Sequence, residues 1–172
     1  MISSMRRFIL AVAAMLFSVG ATFAQNYMVV NSEKVFKSLA EYNNALEQIE
    51  SLSKSYQSAV DAKFQEVEEA YNSYMSRRAS LSAASRQQME QKILDMEAKA
   101  TEYQESLFGT DGELMKKRME YIQPIQKRVF DAIEMFSMQY GYDLVIDIAS
   151  NPTVLYYSEK VDFTQRIIDA LK

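Results

Sequence analysis

The fold of this chain is decided by its residues 142–157, which read YDLVIDIASNPTVLYY. Two short apolar runs separated by Asn151 and Pro152, a turn signal, predict a pair of β-strands at 143–148 and 153–157. Further on, Asp162 stands three residues before Gln165, and this spacing predicts a capped helix at the end of the chain. The C-terminal residues are therefore expected to form a small β-body closed by a helix.

Residues 1–24 have the pattern of a secretory signal peptide. Arg6 and Arg7 precede an apolar stretch, Phe8–Gly20, and small residues follow up to Ala24. A membrane span needs roughly 20 apolar residues, so this stretch is too short for a good anchor. We expect cleavage near Ala24 and export of a soluble chain that starts at Gln25.

Composition argues against several classes of function. The chain contains no Cys and no His, which removes thiol chemistry, the commonest general base and the commonest zinc ligand. Its four Gly form no phosphate-binding loop. Without residues 1–24 it carries 17 basic and 23 acidic residues, a net charge of −6, which disfavours nucleic acid as a partner. We therefore predict no enzyme, with no catalytic, cofactor-binding or metal-binding residue.

Two series of apolar residues recur every three or four positions through the middle of the chain. The first is Leu46, Ile49, Leu52, Tyr56, Val60, Phe64, Val67, Tyr71 and Tyr74, and the second is Met89, Ile93, Met96, Ala100, Tyr103 and Leu107. The mean spacing of the first series is about 3.5 residues, the period of a left-handed coiled coil. The Ser-rich break between the series predicts an antiparallel hairpin of helices at 39–81 and 86–140, with its tip near 80–86.

Three features concern the ends and the continuity of these helices. Ser38 precedes Glu41 by three residues, which predicts a capping box at the start of the first helix. Gly109 and Gly112 each cost about 1 kcal/mol inside a helix, and Pro124 tends to kink one. The segment from Phe108 to Glu113 is either a loop between two shorter helices or a hinge that lets the tip swing. We expect a continuous but flexible helix.

The β-body is predicted to need more than one subunit. An apolar run at Tyr27–Asn31 predicts a third strand, a helical turn follows at Ser32–Lys37, and Gly141 ends the second long helix. Three short strands bury little surface and leave both sheet edges open, so we expect them to pair across subunits. The residues expected in this oligomeric body are Val29, Val30, Leu144, Val145, Ile146, Ile148, Val154, Leu155 and Tyr156. The predicted domains are the signal peptide 1–24, a discontinuous body of 25–38 and 141–172, and an arm of 39–140.

The order of these elements resembles the Skp (OmpH-like) family of periplasmic chaperones. The specific segments are VVNSEKVF (29–36), Pro124-Ile125, GYDLVID (141–147), Val154-Leu155-Tyr156 and VDFT (161–164). The resemblance implies an α+β, mostly α fold: a homotrimer with a joint β-body from which three helical arms project around a cavity. It also implies ATP-independent holding of unfolded outer-membrane proteins in the periplasm. The best-known members are basic, whereas this chain is acidic.

Two surfaces of the arm are candidates for binding. Apolar residues outside the seam between the helices are expected to face a client; the alternative is that they line the seam. These candidates are Leu52, Tyr56, Phe64, Tyr71, Tyr74, Met96, Tyr103, Phe108 and Tyr121. The basic tip, with Arg77, Arg78, Arg86 and Lys92, suggests contact with an anionic membrane surface; the alternative is a solvated face. If the apolar faces are closed, the chain is a structural coiled-coil protein of the envelope with one fixed partner.

Overall fold

A computed structural model describes residues 26–151 and 153–172 of the chain. The predicted signal peptide and Pro152 of the predicted turn lie outside the described residues. The strands are β1 (Tyr27–Val30) and β2 (Leu144–Asp147), and the helices are α1 (Ser32–Ser38), α2 (Ala40–Arg77), α3 (Ala83–Phe108), α4 (Glu113–Tyr140) and α5 (Thr164–Ala170). Short 3₁₀ turns occupy Arg78–Ser80 and Glu159–Val161. The prediction of a mostly α fold with a small sheet is confirmed.

The sheet joins the two ends of the described chain. β1 and β2 are parallel, with Tyr27 level with Leu144. Parallel strands need a long crossover connection, and here α1 to α4 together provide it. On the other edge of β1, the backbone N–H of Phe163 donates to the carbonyl of Val29 at 3.0 Å, beside an isolated bridge from Val29 to Asp162. β1 therefore lies between β2 and the segment that leads into α5.

The predicted strand pair 143–148 and 153–157 is wrong. β2 finds its partner in β1 instead, and residues 153–157 form no strand. Asn151 turns the chain locally: its side-chain oxygen accepts a hydrogen bond from the N–H of Thr153 at 3.1 Å. Beyond this turn Leu155 and Tyr156 are 94% and 85% exposed in the single chain.

The arm is an antiparallel hairpin, as predicted. α2 packs first against α4 and then against α3, and at about 1.5 Å per residue its 38 residues are roughly 57 Å long. Tyr56 of α2 meets Phe108 edge to face, with ring centroids 6.4 Å apart, and Tyr74 bonds to Glu90. In both pairs the residue numbers add to 164, so α2 and α3 keep one register along their length.

The second arm helix is not continuous, and the expectation of an unbroken helix from 86 to 140 is wrong. α3 ends at Phe108, where the N–H of Gly109 donates to the carbonyl of Glu105 at 2.7 Å, and α4 begins after Gly112. A Cβ built on Gly112 would stand 2.7 Å from the backbone oxygen of Leu107. The loop therefore requires glycine because the backbone approaches closely at this point.

The capping box predicted at the start of the first long helix is also wrong. The hydroxyl of Ser38 donates to the carbonyl of Val35 at 2.7 Å, inside α1, so it is not directed towards α2. Glu41 instead forms an ion pair with Arg128 of α4, at 2.6 Å. α2 therefore begins after Leu39 without a side-chain cap.

Two other predicted helix ends are as expected in part. Gly141 ends α4 in the left-handed conformation at φ 71°, and the N–H of Tyr142 closes the end on the carbonyl of Ser137 at 2.9 Å. Asp162 accepts the N–H of Thr164 at 2.9 Å at the start of α5. In a capping box the backbone N–H of Asp162 would donate to the side chain of Gln165. Here that N–H donates to the carbonyl of Glu159 instead, so the capping box is incomplete.

The buried core lies in the body and at the base of the arm. It joins β1, α1, the first turns of α2, the part of α4 from Ile125 onwards, and the segment from Phe163 through α5 to Leu171. The buried members are Met28, Val30, Val35, Leu39, Ala45, Ile125, Val129, Phe136, Phe163, Ile167, Ile168 and Leu171. None of these residues lies within 53–110, the outer part of the arm, so the core of the body forms without that part.

Candidate functional site

The structure divides the apolar candidates of the arm between the seam and the surface. Tyr74 is 3% exposed, so it lies inside the seam and not on a client-facing surface. Tyr71 and Tyr103 are exposed. The remaining candidates are half-buried along the edges of the seam: Leu52, Tyr56, Phe64, Met96, Phe108 and Tyr121. Some of these residues are therefore exposed as expected for a client-facing surface, whereas Tyr74 lines the seam between the helices.

Tyr74 ties the hairpin together near its tip. Its hydroxyl donates to the Glu90 carboxylate and accepts a hydrogen bond from Nε of Arg78 at 3.1 Å. The bond to Tyr74 also raises the pKa of Arg78 above its ordinary value. Arg78 is thus linked to an acid through Tyr74, and it is less free to meet an anionic surface than the sequence suggested.

The other basic residues of the tip make backbone and hydroxyl contacts. Nη2 of Arg77 donates to the hydroxyl of Ser73 at 2.7 Å, and Nε of Arg86 donates to the carbonyl of Leu81 at 3.1 Å. Lys92 is exposed. In the described part of the chain, these three cations form no ion pair with a carboxylate.

Ion pairs on the described arm are mostly local. Lys116 pairs with Glu113 at 2.8 Å and Lys117 with Glu120 at 2.7 Å, one helical turn away. Both lysines therefore pair within α4 and not with an acid of α2. The hydrogen bond from Lys116 lowers the pKa of Glu113. Such exposed pairs contribute under about 1 kcal/mol each to stability, so they are not the main source of the stability of the arm.

Two apolar clefts flank the seam between α2 and α3. The acidic cleft, of about 260 Å³, is lined by Tyr71, Tyr74, Glu90, Ile93, Leu94 and Glu97. The lysine cleft, of about 300 Å³, is lined by Lys63, Glu66, Val67, Met96, Lys99, Ala100 and Tyr103. Sequence reasoning missed Leu94 and Glu97 because neither follows the apolar period. Leu94 comes directly after Ile93, and such an off-period leucine is the signal that points to this surface.

The residues predicted for the oligomeric body fall into three groups. Val29 and Val30 are fully buried within their own chain. Val145, Ile146, Ile148 and Val154 are half-buried. Leu144, Leu155 and Tyr156 are exposed, as are Met135 and Met138 of α4. The described body therefore leaves a group of large apolar side chains in contact with solvent.

Neither a metal centre nor a membrane span is found in the described residues. No group of three or more acidic residues there is arranged to hold a metal ion. Among the same residues, none of the helices combines the length and the apolar character needed to cross a bilayer.

A long antiparallel hairpin on a small body, which is closed by both ends of the described chain, defines a class of helical-arm proteins. The model of the family described as outer membrane protein (OmpH-like) matches residues 26–171. The chain belongs to this OmpH-like family.

Curated relatives carry a chaperone name. The chain is 25% identical over 134 residues to the chaperone protein Skp of Photorhabdus laumondii subsp. laumondii, covering 78% of this chain and 79% of that protein. The chaperone protein Skp of Photorhabdus luminescens matches with the same identity and coverage. The family resemblance stated from the sequence is thereby confirmed.

Proposed function

We propose that the protein is an ATP-independent holdase chaperone of the periplasm, which binds unfolded outer-membrane proteins between its arms and prevents their aggregation. The observation that carries the proposal is a long arm that projects from the body and contributes no residue of its outer part to the core of the body. Every residue of the core cluster of the body lies outside residues 53–110, while Val60, Tyr74, Ala100 and Leu107 are buried within the arm itself. Family membership and the similarity to two Skp chaperones support the same function.

The arm has the surface that holding a client requires. Tyr71, Leu94 and Tyr103 are exposed along its outer half, separated by charged residues. Weak apolar contacts spread over a long surface bind many sequences and still release them when folding is more favourable. Because each contact is small, release needs no nucleotide.

We further propose that three copies assemble through the body. Leu144, Leu155 and Tyr156 are exposed in the single chain beside a two-stranded sheet, too small to be stable alone. Association would cover these side chains and arrange the arms around one cavity. Sedimentation of the purified protein should give a trimer at micromolar concentration. A clean monomer would contradict this part of the proposal.

The test of function compares the full protein with a variant that lacks residues 53–110. The deletion removes most of the arm and the loop at Gly109 while leaving the core cluster intact. A urea-unfolded outer-membrane barrel is diluted into buffer without ATP, and aggregation is followed by light scattering. We expect the full protein to suppress scattering and the shortened, folded variant to lose that effect.

Suppression by the shortened variant would show that the arms are not the binding element. Unchanged scattering with the full, trimeric protein would favour a structural envelope protein with one fixed partner. Contact of the basic tip with an anionic membrane is a separate proposal, which rests on Arg77, Arg86 and Lys92. Their reversal to glutamate should reduce flotation with anionic vesicles, whereas unchanged flotation would discard it.

A further inference from the structure

We propose that the acidic cleft binds unfolded segments in which an aromatic or large aliphatic side chain stands next to lysine or arginine. This inference rests on the proposed holdase function and specifies which part of a client the arm prefers. The three observations that carry it are an exposed apolar floor, an unpaired carboxylate on the rim, and a second cleft of different charge on the same arm.

The floor of the acidic cleft is an apolar surface that the fold leaves in solvent. Leu94 is 57% exposed and Tyr71 is 49% exposed, while Ile93 between them is half-buried. Tyr74 closes the bottom, and its bonds to Glu90 and Arg78 fix its position. The volume of about 260 Å³ accommodates one large side chain of a bound segment.

The rim of the cleft is anionic. Glu90 and Glu97 both line the cleft, and Glu97 lies three residues after Leu94 on the same face of α3. Within the described residues, Glu97 forms no ion pair and no side-chain hydrogen bond, whereas Glu90 accepts a hydrogen bond from Tyr74. The unpaired carboxylate of Glu97, with Glu90 beside the same apolar floor, favours a cation next to the bound apolar group.

The lysine cleft provides an internal comparison. Lys63 pairs with Glu66 at 3.1 Å, which neutralises that wall, and Lys99 adds a positive charge on the other side. Met96 lies two residues after Leu94, about 200° around α3, so the two clefts open on different faces of the arm. Both clefts are apolar, but the charged residues at their rims differ. The two clefts should therefore favour different charged residues next to the apolar residue of a bound segment.

The preference can be measured with two fluorescent, unstructured peptides that share their tryptophan and leucine positions. One carries lysine and the other glutamate beside each apolar residue, and anisotropy reports their binding to the full, purified protein. We expect the lysine peptide to bind more tightly. Leu94→Gln should weaken it about fivefold, and Glu97→Lys about threefold to tenfold.

Two control variants match these changes on another face. Glu102→Lys repeats the charge reversal about 140° around α3 from Glu97, and Met119→Gln repeats the apolar-to-amide change at an exposed residue of α4 that lines neither cleft. Both should leave the affinity for the lysine peptide unchanged. Circular dichroism of all four variants verifies that the arm is folded.

Several results would overturn the inference. Equal binding of the two peptides, or equal effects of Glu97→Lys and Glu102→Lys, would show that the cleft does not select basic segments. A change in sedimentation on Leu94→Gln, with peptide binding intact, would make the cleft a contact between copies. The aggregation assay is run in parallel: full suppression by all four variants together with unchanged peptide binding refutes the cleft and leaves the holdase function standing.

Discussion

Replacing Ile167 by alanine should destabilise the body strongly. Ile167 lies on α5 and its side chain is fully buried, in a core that also contains Val129 of α4 and Met28 of β1. The substitution removes three carbon atoms, worth about 2–3 kcal/mol in transfer free energy. The cavity left behind brings the expected loss to about 3–4 kcal/mol.

A loss of this size should lower the unfolding midpoint by roughly 6–15 °C for a chain of this length. Near-ultraviolet circular dichroism is the suitable assay, because the ring of Tyr142 packs 4.9 Å from that of Phe163 inside the body and reports its unfolding. Leu94→Ala is the matched control: the side chain is largely exposed, and its loss should cost under about 1 kcal/mol.

The reasoning would be refuted if Ile167→Ala lowered the midpoint no more than Leu94→Ala. That result would mean that α5 does not complete the core of the body. It would also remove the physical basis for a body that holds the arms.

Three further predictions concern local structure. Tyr74→Phe removes a hydroxyl that bridges two charged side chains. The free energy of local opening near the tip should fall by about 1 kcal/mol, so backbone hydrogen exchange there should be faster; unchanged exchange would contradict this prediction. Gly112→Ala forces a backbone shift and should lower the free energy of unfolding by about 1–3 kcal/mol, measured in urea. An unchanged urea midpoint would argue against the close approach of the backbone at Gly112 to Leu107. Burial pushes the pKa of Asp147 up, but hydrogen bonds donated by Ser32 and by the N–H of Ala149 outweigh it and hold that pKa below its usual value. Asp147→Asn should therefore cost about 1 kcal/mol at pH 7. The difference should begin to shrink as the pH falls below about 4 and should be lost only when the pH lies below the lowered pKa of the folded carboxylate; a difference independent of pH would show that the charge is not involved.

Two of these variants have an internal control. Tyr103→Phe tests an exposed tyrosine of the same arm, and it should leave exchange near the tip unchanged. Asp143→Asn tests a carboxylate next to the same strand, which accepts no side-chain hydrogen bond in the described structure. Its substitution should change stability at pH 7 much less than Asp147→Asn does.

The arm was predictable because its information is local. The spacing of Ile49, Val60 and Ala100 predicts that their side chains lie in the seam between the helices, and all three are buried in the structure. Pairing of strands is different, since an alternating or apolar run such as Leu144–Asp147 does not name its partner. The choice between Thr153–Tyr157 and Tyr27–Val30 depends on contacts distant in sequence, which is why the predicted hairpin was wrong.

The candidate binding surface was predictable only in part. Periodicity does not separate residues that line the seam from residues that face outwards, so the prediction of Tyr74 as a client-facing residue is wrong: its side chain is buried. The exposed residues that matter for binding depart from the period, as Leu94 does. Local hydrogen bonding decided the rest: the position of Arg78 follows from Tyr74, and no spacing in the sequence encodes that bond.

The central claim is that the arms hold an unfolded client without nucleotide, and one sedimentation experiment tests it most directly. A urea-unfolded outer-membrane barrel is diluted into the purified protein in the absence of ATP, and the soluble fraction is sized. We predict one soluble complex that contains the client and one trimer, with the client still unfolded by circular dichroism. A pelleted client beside uncomplexed protein would contradict the claim.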